Sequence, residues 1–534
     1  MSEIVKVLPL VLLLLASMPL MADETITLLP ASTKQTWIAW CTEPGPTPNF
    51  GLSTELDATT LAEVQEAYAN DLGYNCVRWN PSLEQANGGA GFEPVNDNAD
   101  PATFPGGWLT GTFYPQVEAT FVAGGDTFDM DKTFTKWIVP VRNKTLAKGE
   151  TFTLIVDITG DRPSFQTHWK SPATAYEDEY AEFATALIQW ITDNHSFQPT
   201  YWTIPANEPD PLHYSTDNPP GEAIKQANAF TTRMATEGWI TKTDHNEAVV
   251  PTESSNKNVQ CTADANCDVE AGLWSYHGYD YNGVDQPTAG ELVDRNTIRT
   301  NAAAWGVGGV GVPTAMLEIC CSAFVGGQDG SYSHGLQMAR DIFWNMTEAD
   351  VSLWMPLQVM TPCVGGGVGC STTLGDTIAI QETTLDNWFK FPSYYALRQY
   401  GKWIRPGMIR VDTTCVGCTS EPTTGNTAKV VAFKRPDNTY VIVAINDRSV
   451  STTMTFVDFP LGQWNYEGIH TGICTGGSGV RNRCTPDTGT KVGTASWDFT
   501  MVAEAIYTFS QAPASTSGAV IQGAVTISGA VVVQ

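Results

Sequence analysis

Tyr201-Trp202-Thr203-Ile204-Pro205-Ala206-Asn207-Glu208-Pro209 reads as an apolar strand that stops at a carboxylate. Aromatic and β-branched residues favour an extended segment over Tyr201–Ala206, and Asn-Glu-Pro follows it at once. Such a strand suits a parallel barrel, in which the strand ends converge on one face. Working outward, the same alternation of strand and helix repeats in both directions. Towards the N-terminus, strands are predicted at Thr36–Cys41, Tyr74–Trp79 and Phe152–Ile158. A helix is expected from Thr59 to Leu72, with Leu61, Val64, Tyr68 and Leu72 on one face and Gly73 as its stop. Another runs from Tyr176 to Asn194, where Tyr180, Phe183, Ala184, Leu187, Ile188 and Ile191 form one stripe. Towards the C-terminus, strands are predicted at Ala248–Pro251, Ala271–Tyr276, Thr314–Ile319 and Val351–Met355. The pattern predicts an α/β fold, a (β/α)8 TIM barrel over residues 36–403.

The texture changes at Ile404-Arg405-Pro406-Gly407. Short β-rich runs follow at Val430–Phe433, Tyr440–Asn446, Thr453–Phe456 and Ala503–Phe509, with Pro436-Asp437-Asn438 as a turn. They predict an attached antiparallel β-sandwich over residues 404–510. Residues 23–35, with Ile26–Leu29, are expected to add a strand to it, and residues 511–534 form a low-complexity tail. Residues 1–22 read as a signal peptide, with Lys6 before an apolar run and Ala22 before the cleavage point. No other stretch is apolar and long enough to span a membrane, so the mature chain is expected to have no stable membrane span. A secreted, extracellular or cell-wall location is therefore expected. The net charge is −28, from 57 acidic and 29 basic residues, which argues against a nucleic-acid partner. The 12 cysteines fit disulfides in an oxidising compartment. Close spacing predicts Cys261–Cys267, Cys363–Cys370, Cys474–Cys484 and a tight Cys415–Cys418 pair; the partners of Cys41, Cys76, Cys320 and Cys321 stay open. Asn143, Asn194 and Asn345 begin possible glycosylation triplets.

Glycoside hydrolysis needs two carboxyl groups flanking the scissile bond, one protonated and one ionised. Glutamates at the C-terminal ends of barrel strands are the natural candidates. Glu208, after the fourth strand, is the expected general acid/base, and Asn207 beside it is placed to bond a sugar hydroxyl. Glu318 ends Thr314-Ala315-Met316-Leu317-Glu318 and is the expected nucleophile. Trp274-Ser275-Tyr276-His277-Gly278-Tyr279 ends the intervening strand, which brings His277 and Tyr279 near both glutamates and lets Tyr279 bond the nucleophile. Arg78, at the end of the second strand, is expected to hold Glu318 ionised by charge pairing. Trp79, Trp169 and Trp354 lie near strand ends, as core residues or as platforms for sugar rings. No compact ligand set suggests a metal, and no cofactor is expected.

Asn207-Glu208-Pro209, His277-Gly278-Tyr279 and Glu318 together resemble the clan A glycoside hydrolases. Phe391-Pro392-Ser393-Tyr394-Tyr395-Ala396-Leu397, running into Lys402-Trp403-Ile404-Arg405-Pro406-Gly407, is most like glycoside hydrolase family 30, at the crossing from the last barrel helix into the side sandwich. The resemblance implies a retaining mechanism, a barrel with a β-sandwich, β-linked oligo- or polysaccharide substrates and no metal. Xylan, β-1,6-glucan, β-galactan and glucosylated lipid are all substrates within that family. The competing readings are a transglycosylase on the same site and a non-catalytic carbohydrate-binding wall protein.

Overall fold

The computed structural model describes residues 24–43, 58–79, 133–157, 176–204, 219–262, 271–279, 288–306, 309–319, 332–356, 360–363, 378–381, 388–417, 428–474 and 484–513. The expected signal peptide, the tail beyond residue 513, Asn207, Glu208 and Trp169 lie outside the described residues.

The first strand, β1 (Glu24–Thr36), leads into a closed parallel barrel. Its strands are β2 (Ala39–Thr42), β3 (Cys76–Trp79), β4 (Thr153–Val156), β5 (Tyr201–Ile204), β6 (Lys242–Ala248), β7 (Ala271–His277), β8 (Thr314–Glu318) and β9 (Val351–Trp354), paired in chain order, with β9 closing on β2. The helices that follow in chain order are α1 (Ala58–Glu66), α2 (Val139–Ala147), α3 (Tyr176–His195), α4 (Pro219–Glu237), α5 (Pro251–Thr262), α6 (Ala289–Ala302), α7 (Tyr332–Glu348) and α8 (Pro392–Gly401). A π-helical turn, Ala67–Asp71, extends α1. Gly73 then stops the chain with φ of +71°, and a Cβ there would strike the Gly401 carbonyl, so only glycine lets the ends of α1 and α8 meet.

Side chains alternate along the barrel strands. Ala39, Cys41, Cys76, Ile155, Leu273, Ala315, Leu317 and Leu353 form one interior cluster. Val77, Leu154, Val156, Trp202 and Ile204 turn outward and pack on Ala184, Leu187, Ile188 and Ile191 of α3. Each such buried aliphatic side chain contributes about 1.5–3 kcal/mol. The strand predicted at Ala248–Pro251 is corrected: β6 occupies Lys242–Ala248, and Pro251 opens α5. β6 reads Lys-Thr-Asp-His-Asn-Glu-Ala, with almost no apolar residue to mark it as a strand.

A small sheet of β10 (Met360–Cys363), β11 (Ile378–Gln381) and β12 (Trp388–Lys390) lies between β9 and α8. Beyond α8 come β13 (Ile409–Val416), β14 (Ala428–Lys434), β15 (Tyr440–Asn446), β16 (Thr452–Val457), β17 (Gly462–His470), β18 (Asp487–Gly493), β19 (Ser496–Met501) and β20 (Ala505–Gln511). With β1 they form one mostly antiparallel sheet in the order β18-β17-β20-β15-β14-β13-β1-β16-β19. Its far end folds back over its middle. Phe456 on β16 stacks on Trp497 of β19 at 4.3 Å, and both meet Phe509 of β20 within 5.5 Å. The outer face, including Val431, Val443 and Ile506, shares a core with Leu336 and Ala339 of α7 and Leu397 of α8. Arg340 with Asp447 (2.5 Å) and Lys402 with Glu467 (2.9 Å) tie the same helices to the sandwich.

Two disulfides are closed by described residues on both sides. Cys474–Cys484 is the pair its spacing predicts. Cys41–Cys76 joins neighbouring residues of β2 and β3 inside the barrel. Cys415 is disulfide-bonded, while Cys418 and the second members of the other two expected pairs lie outside the described residues. The Cys41–Cys76 bond spans 35 positions, and removing both sulfurs should cost about 4 kcal/mol of stability by chain entropy alone. A urea midpoint for Cys41→Ala/Cys76→Ala equal to wild type would refute this. Asn345 is fully buried and bonded to Tyr276, Asp341 and Arg295, so it is not a glycan acceptor in the folded protein. No helix among the described residues is long and apolar enough to cross a membrane.

Candidate active site

The last inward positions of the barrel strands carry the polar side chains. Ala39 and Cys41 face inward, so Glu43, two residues on, does too. Cys76 sets Arg78 inward in the same way, and Ile155 sets Asp157. On β6 and β8 simple alternation fails. Asp244 and Glu247 both face the barrel interior although three residues apart, and β6 slips register against β7 between His245 and Ala248. On β8, Leu317 lies in the interior cluster, yet the adjacent Glu318 also meets Arg78. There the pairing with β7 jumps from Tyr276–Met316 to His277–Glu318. In each strand an extra residue at the rim re-aims a carboxylate into the barrel, which is a characteristic use of a β-bulge.

Arg78, 1% exposed, is the hub. Its Nε and Nη2 donate to the two oxygens of Glu247 at 3.1 and 2.7 Å. Nη2 also lies 2.6 Å from Asp157, and Nη1 donates to Glu318 Oε2 at 2.9 Å. Nη1 is 3.6 Å from Glu43. Tyr279 donates its hydroxyl to Glu318 Oε1 at 2.7 Å. His277 Nε2 sits 3.7 Å from Glu247 and 3.9 Å from Glu318. Thus both oxygens of Glu318 are oriented, one by Arg78 and one by Tyr279, as the sequence predicts for each contact.

Several carboxyls around one guanidinium cannot all ionise on equal terms. Burial would raise the Glu247 carboxyl, but the attraction and hydrogen bonds of Arg78, with His277 close by, outweigh it and hold the group at about 2. Burial pushes Asp157 and Asp244 well above the usual carboxylate range, with repulsion from Glu247 adding to each. Glu43 is pushed up to about 8, first by burial and then by Glu318 and Glu247, against the pull of Arg78. Burial lowers Arg78, yet Asp157, Glu247 and Glu318 more than restore it, so it stays cationic. The signs differ for stability. Glu247 is depressed from 4.5, so its contribution is present above about pH 4.5 and is lost as pH falls through about 2. Glu43 is raised, so its contribution is full below about pH 4.5 and is lost as pH rises through about 8. Melting curves should therefore show Glu247→Gln removing part of the acid-side fall. An unchanged acid limb would contradict the ion pair.

Of the three tryptophans offered as sugar platforms, Trp79 and Trp354 are described, and both are core residues. Trp79 follows the inward Arg78, so it must point outward, and it packs edge-on against Phe134 at 4.9 Å. Trp354 lies between the inward Leu353 and Met355, is fully buried, and donates its indole N–H to Asp341 of α7 at 2.9 Å. Neither ring faces the barrel mouth. Sequence reading passes over Glu43, Asp157 and Glu247; strand alternation marks the first two, but Glu247 depends on its bulge.

Residues 412–471 match the family model described as the glycosyl hydrolase family 30 beta sandwich domain. The catalytic domain of GH30 xylanase C from Talaromyces cellulolyticus superposes with a TM-score of 0.60 at 15% identity, covering 91% of this chain and 100% of that one. A conserved exported protein from Bacteroides fragilis gives 0.64 at 13% identity, over 91% of this chain and 100% of that one. An endo-β-1,6-glucanase gives 0.58 at 15% identity, over 92% and 95%. No curated protein matches by sequence. In architecture, then, the chain is like a family 30 glycoside hydrolase of clan A, a parallel (β/α)8 barrel carrying that family's β-sandwich.

Proposed function

We propose that the protein is a secreted retaining glycoside hydrolase that cleaves a β-linked glycan, β-glucan, xylan or β-galactan, by double displacement. Glu318 is the nucleophile and Glu208 the general acid/base. The observation that carries this reading is the state of Glu318 at the end of the seventh barrel strand. Its two oxygens are held by Arg78 and Tyr279, so the carboxylate is fixed at the barrel mouth with its charge supported. The fold neighbours that are named as glycoside hydrolases support the reaction class. The disulfides support export to an oxidising compartment.

In the first step Glu318 attacks the anomeric carbon while Glu208 protonates the leaving oxygen. In the second, Glu208 takes a proton from water, which displaces Glu318. Arg78 binds Glu318 most strongly when it is charged, so it stabilises the enzyme before attack and again as the intermediate breaks down. A panel of purified β-glycans with product sizing identifies the substrate. NMR of the first product then tests the mechanism. The β anomer is expected, and initial α product would refute retention.

A further inference from the structure

The carboxyls around Arg78 differ in their access to solvent. The side chains of Asp157 and Glu247 are fully sealed, whereas those of Glu318 and Glu43 keep 8% and 13% of their surface exposed. The same nitrogen, Arg78 Nη1, lies 2.9 Å from Glu318 and 3.6 Å from Glu43, so these two carboxyls stand side by side. We propose that Glu43 is a substrate-recognition residue whose carboxyl hydrogen-bonds a hydroxyl of the sugar ring that Glu318 attacks. The proposal rests on Glu318 being the nucleophile.

The hydrogen-bond inventory supports this. Glu247, Asp157 and Glu318 already take Arg78 at bonding distance on Nε, Nη2 and Nη1, and Glu43 sits beyond that distance. Among the described residues, no donor reaches the Glu43 carboxyl within hydrogen-bond range. It is therefore not needed to hold Arg78, and a largely buried polar group without such a bond gains from a ligand hydroxyl. Charge points the same way. The groups that face Glu43 are Arg78 from β3, Glu318 from β8, Glu247 from β6, His277 from β7 and Tyr68 from the turn after α1. Burial, reinforced by the two glutamates against Arg78 and His277, raises it to about 8. At neutral pH it is then a carboxylic acid, which donates through its O–H and accepts through its carbonyl oxygen. A sugar hydroxyl matches both. A uronic acid in this position would set a further carboxylate against Glu318 and Glu247, so the ring bound here is neutral.

The test uses an aryl β-glycoside that the wild-type enzyme hydrolyses, together with its monodeoxy analogues. Glu43→Ala should lower kcat/KM about 10–100-fold on the parent glycoside, the size expected for a lost hydrogen bond to a polar site. On one monodeoxy analogue, which lacks the recognised hydroxyl, the variant should show no further loss. Glu43→Gln should retain part of the binding and remove an alkaline limb near pH 8 from the kcat/KM profile. Both variants should still be labelled at Glu318 by a 2-deoxy-2-fluoro aryl glycoside. An unchanged kcat/KM in Glu43→Ala, or the same loss on every deoxy analogue, overturns the proposal alone. A wild-type enzyme that takes no label at Glu318 overturns the nucleophile assignment and this proposal with it.

Discussion

Glu318→Ala should lose on the order of 10⁴–10⁶-fold in kcat on every substrate, the range found when an attacking group is removed. The reason is specific to this site. The carboxylate takes hydrogen bonds from both sides, Arg78 at 2.9 Å and Tyr279 at 2.7 Å. No neighbour replaces it easily. Glu247 shares Arg78 with Glu318, but it is fully buried and its two oxygens are held by Arg78 Nε and Nη2. Glu43 holds its proton near neutral pH and is a poor nucleophile in that form. Removing Glu318 also frees one edge of a buried guanidinium, so the variant's fold should be checked by circular dichroism alongside the rate. Near-normal turnover by a folded Glu318→Ala protein would contradict the assignment.

Glu208→Ala should produce a different deficit. An aryl glycoside with a good leaving group needs little help from an acid, so its first step should proceed, while deglycosylation loses its base. A burst of released phenol followed by slow turnover is expected. Azide, which attacks the intermediate without a general base, should accelerate the slow phase, by roughly the 10²–10⁴-fold that acid–base catalysis contributes. A variant with equal losses on good and poor leaving groups, and no response to azide, would remove Glu208 from this role.

The barrel is legible in the sequence because most of its strands are short apolar runs between helical stripes. Thr314–Glu318 is one such strand, and Ala184, Leu187, Ile188 and Ile191 mark the inner face of α3. β6 is not legible, for a physical reason. Its inward positions carry Asp244 and Glu247 in place of the aliphatic residues seen on β7 and β8, so periodicity draws the strand onto Ala248–Pro251 instead. In the sandwich, β15 is fully buried and its sequence pattern marks it to the residue, as Tyr440–Asn446. The solvent-facing β18 has only one buried residue and carries no signal. Glu318, Arg78, Tyr279 and His277 come together as expected from their places at strand ends. Alternation also decides Trp79: with Arg78 facing inward, its neighbour must face the helices. The inward turn of Glu318 and Glu247 follows from bulges, and a register shift leaves no mark in local composition.

The most direct test of the central claim is to trap the covalent intermediate. Wild-type enzyme is incubated with a 2-deoxy-2-fluoro aryl β-glycoside of the sugar identified by the substrate panel, then digested and mapped by mass spectrometry. The account predicts one fluoroglycosyl adduct, on the peptide containing Glu318 and on that side chain. An adduct on Glu43, Glu208 or Glu247, or rapid turnover of this sugar through the α anomer with no adduct, would contradict it.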